Sequence, residues 1–151
     1  MFVTEATEEY EKALKEGQRE HRECMLRRID PNPLVLDDML DPEVSEKWQD
    51  VGLVNIPINR IVGTKNAGRT TAFTKSFRPL MEPETEFSRK WIKLCADHLG
   101  DTGIQNPIEC FEYLGEFFVQ EGNKRVSVLR HFGANVIAAN IKRVLPVMDD
   151  S

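Results

Sequence analysis

The residues best suited to chemistry in this chain form one short segment, residues 121–125, with the sequence EGNKR. An apolar, strand-like run precedes this segment, and a pattern typical of a helix follows it. Gly122 permits a tight turn and a close approach of the backbone to a ligand. Asn123 is expected to cap the helix by accepting a hydrogen bond from a backbone N–H group.

Two cationic residues, Lys124 and Arg125, then stand in the first turn of the predicted helix. The helix macrodipole favours anions at this end, so adjacent cations suggest that an anion lies between them and the helix. Together with free N–H groups, they predict a phosphate-binding turn. We expect Arg125 to contribute most, because a guanidinium can hold two phosphate oxygens at once. The alternative is an ordinary turn whose cations point into water.

A second basic feature lies upstream. The chain has a net charge of −5, yet residues 51–81 hold five cations and no acid. Within this run, residues 63–71 are rich in Gly, Thr and Asn, which suits turns and contacts to a ligand. We expect Arg69, Thr70 and Thr71 to face the turn at Gly122 and complete an anion site. The alternative is a solvated basic loop.

These motifs resemble those of a known family. Residues 122–125, GNKR, resemble the Gly-Glu-Arg-Arg signature of the ParB-like domain found in bacterial chromosome-partition proteins. They are also similar to the Gly-Cys-His-Arg turn of sulfiredoxins, which share that fold. Residues 103–108, GIQNPI, resemble the other signature of the ParB-like family. The resemblance implies a strand–turn–helix site that grips nucleotide phosphates, with Gln105 among the binding residues.

The resemblance also sets expectations for ligands and partners. It implies a nucleoside triphosphate, CTP or ATP, with Mg²⁺ as a possible companion. Asn123 replaces the catalytic cysteine of sulfiredoxins, which excludes sulfinic-acid reduction. The resemblance ends near Pro146, before the later phosphate-binding helix, the helix-turn-helix and the dimerisation domain of the partition proteins, so we expect either a fragment of a longer protein or a stand-alone version of the fold. We therefore expect any DNA to be contacted through a missing or separate domain.

Two other functions remain open from the residues. Glu121 adjoins the predicted phosphate turn, where an acid would bind Mg²⁺ or act as a base, so it is the candidate catalytic residue. That favours an enzyme, a phosphotransferase or nuclease on the same fold. The third possibility is a protein-interaction module without a ligand. No metal-ligand spacing occurs in the sequence, so we expect no metal site formed by the protein alone.

Composition predicts a globular protein. Of its 151 residues, 40% are hydrophobic and 30% are charged, and no apolar stretch is long enough to span a membrane. The acidic start lacks the pattern of a signal peptide. The three cysteines are scattered, which fits a reducing cytoplasm. We expect a bacterial, cytoplasmic protein with no membrane partner, and a homodimer is a further possibility.

The expected fold class is α+β, a small ParB/sulfiredoxin-like mixed sheet with helices and an N-terminal helical extension. The predicted domains are an extension at residues 1–50, a ParB-like nucleotide-binding domain at residues 51–146 and a tail at residues 147–151. The periodicity of apolar residues and the Gly and Pro positions predict the elements. In chain order these are a helix at 5–28, a strand at 51–62, a helix at 82–99, a hairpin at 107–120, a helix at 123–132 and a strand at 135–145.

Overall fold

In the computed structural model, which describes residues 2–146, a long N-terminal helix α1 spans Val3–Leu26. Its buried residues recur at helical spacing and form one apolar stripe: Ala6, Tyr10, Ala13, Leu14 and Gly17. A Cβ atom at Gly17 would lie 2.2 Å from the carbonyl oxygen of Pro79, so glycine lets the helix approach the rest of the chain closely. The predicted tail, residues 147–151, lies outside the described residues.

Short elements connect α1 to the sheet. They are strand β1 (Leu34–Val35), helix α2 (Leu36–Met39) and helix α3 (Pro42–Ser45). The predicted strand at residues 51–62 is in fact two strands, β2 (Trp48–Pro57) and β3 (Ile61–Thr64), separated by a 3₁₀ turn at Ile58–Arg60. Proline has no N–H group to continue a strand ladder, which accounts for the break at Pro57.

Helix α4 spans Glu86–Leu99 and begins at a capping box. The Thr85 hydroxyl accepts a hydrogen bond from the Ser88 N–H at 3.1 Å, and the Ser88 hydroxyl accepts one from the Thr85 N–H at 3.0 Å. Its buried face carries Phe87, Trp91 and Cys95, at the spacing that the sequence predicts. A second 3₁₀ turn, Thr70–Ala72, lies in the loop before this helix.

The C-terminal elements agree with the sequence prediction. They are β4 (Ile108–Tyr113), β5 (Glu116–Glu121), α5 (Asn123–His131) and β6 (Val136–Val144). Gly122 lies at the turn between β5 and α5, as expected. The predicted α+β class with an N-terminal helix is therefore confirmed.

The strands form one mixed six-stranded sheet in the order β1-β3-β5-β4-β6-β2. Strands β1, β3 and β5 run parallel to one another, whereas β2 pairs antiparallel with β6 at the far edge. The main core lies between the sheet and helices α1, α4 and α5, with Trp91, Phe73 and Phe77 fully buried. A smaller cluster on the other face packs Leu36 against Phe111, Phe118 and Val144. Within residues 2–146, no helix has the length and apolar character needed to cross a bilayer.

Candidate functional site

The turn between β5 and α5 requires a glycine. Gly122 has φ of +112°, a conformation that L side chains rarely adopt. A Cβ atom there would also lie 2.4 Å from Cγ2 of Ile108, a fully buried side chain on the neighbouring strand. The glycine therefore brings the start of α5 close to the sheet and fixes the direction of its first N–H groups.

The first turn of α5 lacks the cap predicted from the sequence. Gly122, not Asn123, occupies the N-cap position, and no side chain caps the helix. Asn123 is already helical, so its side chain cannot play that part. Its Oδ1 atom is buried and has no hydrogen-bond partner among the described residues. The first N–H groups of a helix have no intrahelical acceptors, so this end keeps its affinity for an anion.

A cavity of about 490 Å³ opens at this end of α5. Because β3 and β5 are parallel neighbours, their C-terminal ends meet at one edge of the sheet and supply two of its walls. The loop after β3, helix α4 and the first turn of α5 supply the others. The lining residues are Thr64, Asn66, Gly68, Arg69, Phe73, Lys90, Val119, Gln120, Glu121, Gly122, Asn123 and Lys124.

The cavity is electropositive. Arg69, Lys90 and Lys124 line it, and Glu121 is the one acid among its described lining residues. Burial lowers the pKa of the Lys124 ammonium below its ordinary value, and the charges of Arg69 and Lys90 lower it further. The Lys124 Nζ atom lies 5.1 Å from the centre of the Phe87 ring, which orients the side chain. Lys90 Nζ also pairs with Glu86 Oε1 at 2.9 Å, so an anion in the cavity would mainly compensate the charges of Arg69 and Lys124.

Internal hydrogen bonds shape the loop that carries Arg69. The Thr64 hydroxyl donates to the carbonyl oxygen of Asn66 at 2.7 Å, and the Gly68 N–H donates to Asn66 Oδ1 at 3.2 Å. The backbone N–H of Lys65 donates to the carbonyl oxygen of Val119 on β5 at 2.8 Å. The loop is therefore tied to the strand that leads into the turn at Gly122.

The cations of residues 51–81 have different surroundings. Arg78 forms ion pairs with Glu16 and Glu20 of α1, and Lys65 pairs with Asp37. The acidic N-terminal segment thus compensates part of the acid-free run. Arg69 is the cation of this run that lines the cavity together with the first turn of α5.

Arg125 has a different environment from the one expected. Its Nη1 atom donates to the carbonyl oxygens of Asn106 at 2.8 Å and Pro107 at 2.7 Å. The side chain lines an adjoining cavity of about 380 Å³ together with Lys93 and Asp97. That cavity shares Lys90 and residues 122–124 with the cavity at Arg69. Arg125 therefore holds the loop that enters β4 against the first turn of α5.

Three other predicted residues lie away from the cavity. The Thr70 side chain is buried, and its hydroxyl donates to the carbonyl oxygen of Ala67 at 3.2 Å. Thr71 lines a separate cavity beside α1. The Gln105 amide donates to the carbonyl oxygen of Thr102 in its own loop. The predicted residues that the structure brings together are Arg69, Glu121, Gly122, Asn123 and Lys124.

Sequence reasoning missed several residues of the cavity. Lys90 lies on α4 and has the spacing of an ordinary polar helix face, so no local pattern distinguishes it. Asn66 and Gly68 belong to the Gly-, Thr- and Asn-rich loop that the sequence did highlight, but as a segment. Thr64 and Gln120 end parallel strands, a position that becomes informative only once the pairing of β3 with β5 is known.

Comparisons with known proteins do not identify a family for this chain. No protein-family model and no curated protein matches the chain. Among solved structures, the chain is similar to a sulfiredoxin from Arabidopsis thaliana, with 21% sequence identity and a TM-score of 0.41. The match covers 60% of this chain and 84% of that one. Likeness at this level says nothing about activity.

Proposed function

We propose that this chain is a ParB-like protein that binds a nucleoside triphosphate, CTP or ATP, through its phosphates in the cavity at the start of α5. The observation that carries the proposal is the charge of that cavity, where Arg69, Lys90 and Lys124 line the same space as the uncapped first turn of α5. Cations next to a helix N-terminus are unfavourable without an anion. A regulatory role in a bacterial cytoplasm, with DNA contacted through a separate domain, fits this ligand.

The cavity is large enough for a nucleotide. Ligand pockets in proteins typically measure about 300–1,000 Å³, and the cavity of about 490 Å³ falls in that range. The phosphates would lie against the first turn of α5. The buried Oδ1 atom of Asn123 would accept a hydrogen bond from a ligand hydroxyl group, which satisfies a polar atom that is otherwise without a partner.

The arrangement fits a magnesium–nucleotide complex better than free Mg²⁺. Within residues 2–146, no three His, Cys, Asp or Glu side chains form a group that could hold a metal. Glu121 is the one described carboxylate in the cavity. Proteins bind Mg²⁺ through one or two carboxylates together with substrate phosphates, so Glu121 would contribute one ligand beside the phosphate oxygens.

The side chains have distinct parts in this proposal. Lys124, Arg69 and Lys90 contact the phosphates directly. Arg125, which bonds to the carbonyl oxygens of Asn106 and Pro107, positions the first turn. Both bonds come from the single nitrogen Nη1, so the expectation that Arg125 also contacts phosphate stays a prediction.

Calorimetric titration with CTP and ATP, with and without Mg²⁺, tests the proposal. Lys124→Met and Arg69→Met should each weaken binding by about ten- to a hundredfold, since a charge-assisted contact contributes roughly 1.5–3 kcal/mol. Lys15→Met and Arg19→Met on α1 are matched controls, because both residues are exposed and lie outside the cavity lining. Absence of binding by the wild-type protein would leave the ligand-free interaction module as the better description.

The unfolding midpoint of Lys124→Met shows whether this variant remains folded. The folded-state pKa of Lys124 lies below its unfolded value, so at neutral pH the protonated form is less favourable in the folded state. Methionine removes the charge and keeps the apolar stem. The unfolding midpoint of the ligand-free variant should therefore hold or rise, and a large fall would mean that lost affinity reflects lost structure.

An enzyme is the second candidate, because Glu121 lines the same cavity as the cations. In that position the carboxylate would hold Mg²⁺ or act as a base in phosphotransfer or nuclease chemistry. Glu121→Gln should then abolish turnover of the bound nucleotide while the affinity remains. Equal turnover by both proteins would exclude this role for Glu121.

A further inference from the structure

The outer edge of β2 is the longer of the two free edges of the sheet. This ten-residue strand ends the sheet and pairs only with β6 among the described strands. Ile56 is its one buried residue. An edge strand presents a row of unpaired N–H and C=O groups, which is a template for pairing with another strand.

The edge is also apolar. Four of its large hydrophobic side chains are exposed, and Leu53 is the most accessible of them at 66%. The other three are Trp48, Val51 and Val54. Monomeric proteins usually protect such edges with several charges, a bulge or proline. In β2 the one charge is Asp50, the bulge lies between Asp50 and Gly52, and Pro57 comes at the end, so residues 53–56 carry none of these devices.

The two edges of the sheet differ in a way that selects the partner. The opposite edge is β1, which has two residues, so it cannot accept a ten-residue strand from another copy. Head-to-tail pairing of β2 with β1 is therefore disfavoured, and with it the formation of open fibres. A β2 strand from a second copy has the required length and apolar character.

The charge of Asp50 favours antiparallel over parallel pairing of two β2 strands from different copies. Leu53 lies near the middle of β2, so a two-fold axis close to it places Asp50 of one copy near Ile56 of the other. A parallel arrangement in register would place Asp50 opposite its own copy, and like charges directly opposite one another are destabilising. The strand is thus complementary to itself in one orientation.

We propose that two copies of this chain form a dimer by antiparallel pairing of their β2 strands about a two-fold axis near Leu53. The sheet then continues from one copy into the other. A stable interface buries about 800 Å² on each partner, more than one strand's main chain supplies, so the exposed side chains of Trp48, Val51 and Val54 also contribute.

Sedimentation velocity over a wide concentration range tests the dimer. The wild-type protein should sediment as a reversible dimer, and Leu53→Lys should weaken it by roughly tenfold or more, because it places two ammonium groups near the axis. Leu114→Lys is the matched control, since Leu114 is 72% exposed at the tip of the β4–β5 hairpin and lies outside the interface. This control should dimerise like the wild type.

Amide hydrogen exchange supplies a readout that locates the interface. Outward-facing amides of residues 50–56 should exchange more slowly at dimer-forming concentrations than in dilute solution, and this difference should vanish in Leu53→Lys. Circular dichroism of the variant should remain that of the wild type, since the substituted side chain is on the surface. A monomer at all concentrations, or a dimer that Leu53→Lys leaves intact, would overturn the proposal.

Discussion

At the scale of single residues, Gly122 determines the geometry of the candidate site. Two separate constraints act on it, its φ of +112° and the 2.4 Å approach of a would-be Cβ atom to Ile108 Cγ2. Gly133, at the other end of α5, shares only the first constraint, because it has φ of +74° and no neighbouring atom within 4 Å of that position. A comparison of Gly122 with Gly133 therefore separates the cost of backbone strain from the cost of steric conflict.

Gly122→Ala should destabilise the protein by at least about 2 kcal/mol, because strain and overpacking each cost of order 1–3 kcal/mol. Gly133→Ala should cost only about 1–2 kcal/mol, the strain of a left-handed conformation. Urea denaturation of both variants measures the difference. Equal losses would mean that the contact with Ile108 relaxes without cost and that the turn is less constrained than the structure indicates.

At the scale of elements, a side-chain hydrogen bond joins α1 to the end of α5. His131 Nε2 donates to Glu9 Oε2 at 2.6 Å, and the His131 side chain is only 10% exposed. This hydrogen bond lowers the pKa of the Glu9 carboxyl group below its ordinary value, with a smaller contribution from Lys12. The ionised form of Glu9 therefore stabilises the packing of α1 on the domain.

Glu9→Gln should lower the free energy of unfolding by about 1 kcal/mol near neutral pH, the size of a partly exposed charge-assisted hydrogen bond. Since the folded-state pKa is depressed, this stabilisation is present above the unfolded-state pKa and disappears as pH falls through the folded-state value. Thermal unfolding from neutral to acidic pH should show the wild type and the variant converging. The exposed neighbour Glu8, changed to Gln, should show no such pH-dependent difference.

At the scale of the whole molecule, α1 belongs to the core and does not stand apart from it. Ala6, Tyr10 and Ala13 share a buried cluster with residues of the sheet, and the Tyr10 ring packs edge-on against Trp91 at 5.2 Å between ring centres. β1 adds a strand to the sheet beside β3. The N-terminal residues and the domain predicted at residues 51–146 are thus packed into one structure.

Deletion of residues 2–28 should abolish cooperative unfolding, because it exposes Trp91 and removes one wall of the main core. In a Trp48→Phe background, Trp91 is the remaining tryptophan, and its emission should shift to the red in the truncated protein. The full-length Trp48→Phe protein is the control. A truncated protein that unfolds cooperatively with buried Trp91 would support an independent domain at residues 51–146.

Local pattern in the sequence determined much of the fold. The helical spacing of Phe87, Trp91 and Cys95 predicted α4, and the Gly122 turn predicted the step from β5 into α5. These predictions hold because amphipathic periodicity and glycine conformations act over a few residues. Local pattern was not sufficient for the predicted strand at residues 51–62. That segment divides after Pro57 into β2 and β3, which pair with different strands of the sheet.

Only the tertiary structure decided which side chains form the candidate site. Lys90 lines the same cavity as Arg69 and Lys124 because α4 packs beside α5. Arg125 lies outside that lining, and its Nη1 atom bonds to the carbonyl oxygens of Asn106 and Pro107. Both outcomes depend on contacts between residues far apart in the chain. Local spacing carries no information about such contacts, so the sequence determined the turn and its charge while packing determined the composition of the cavity.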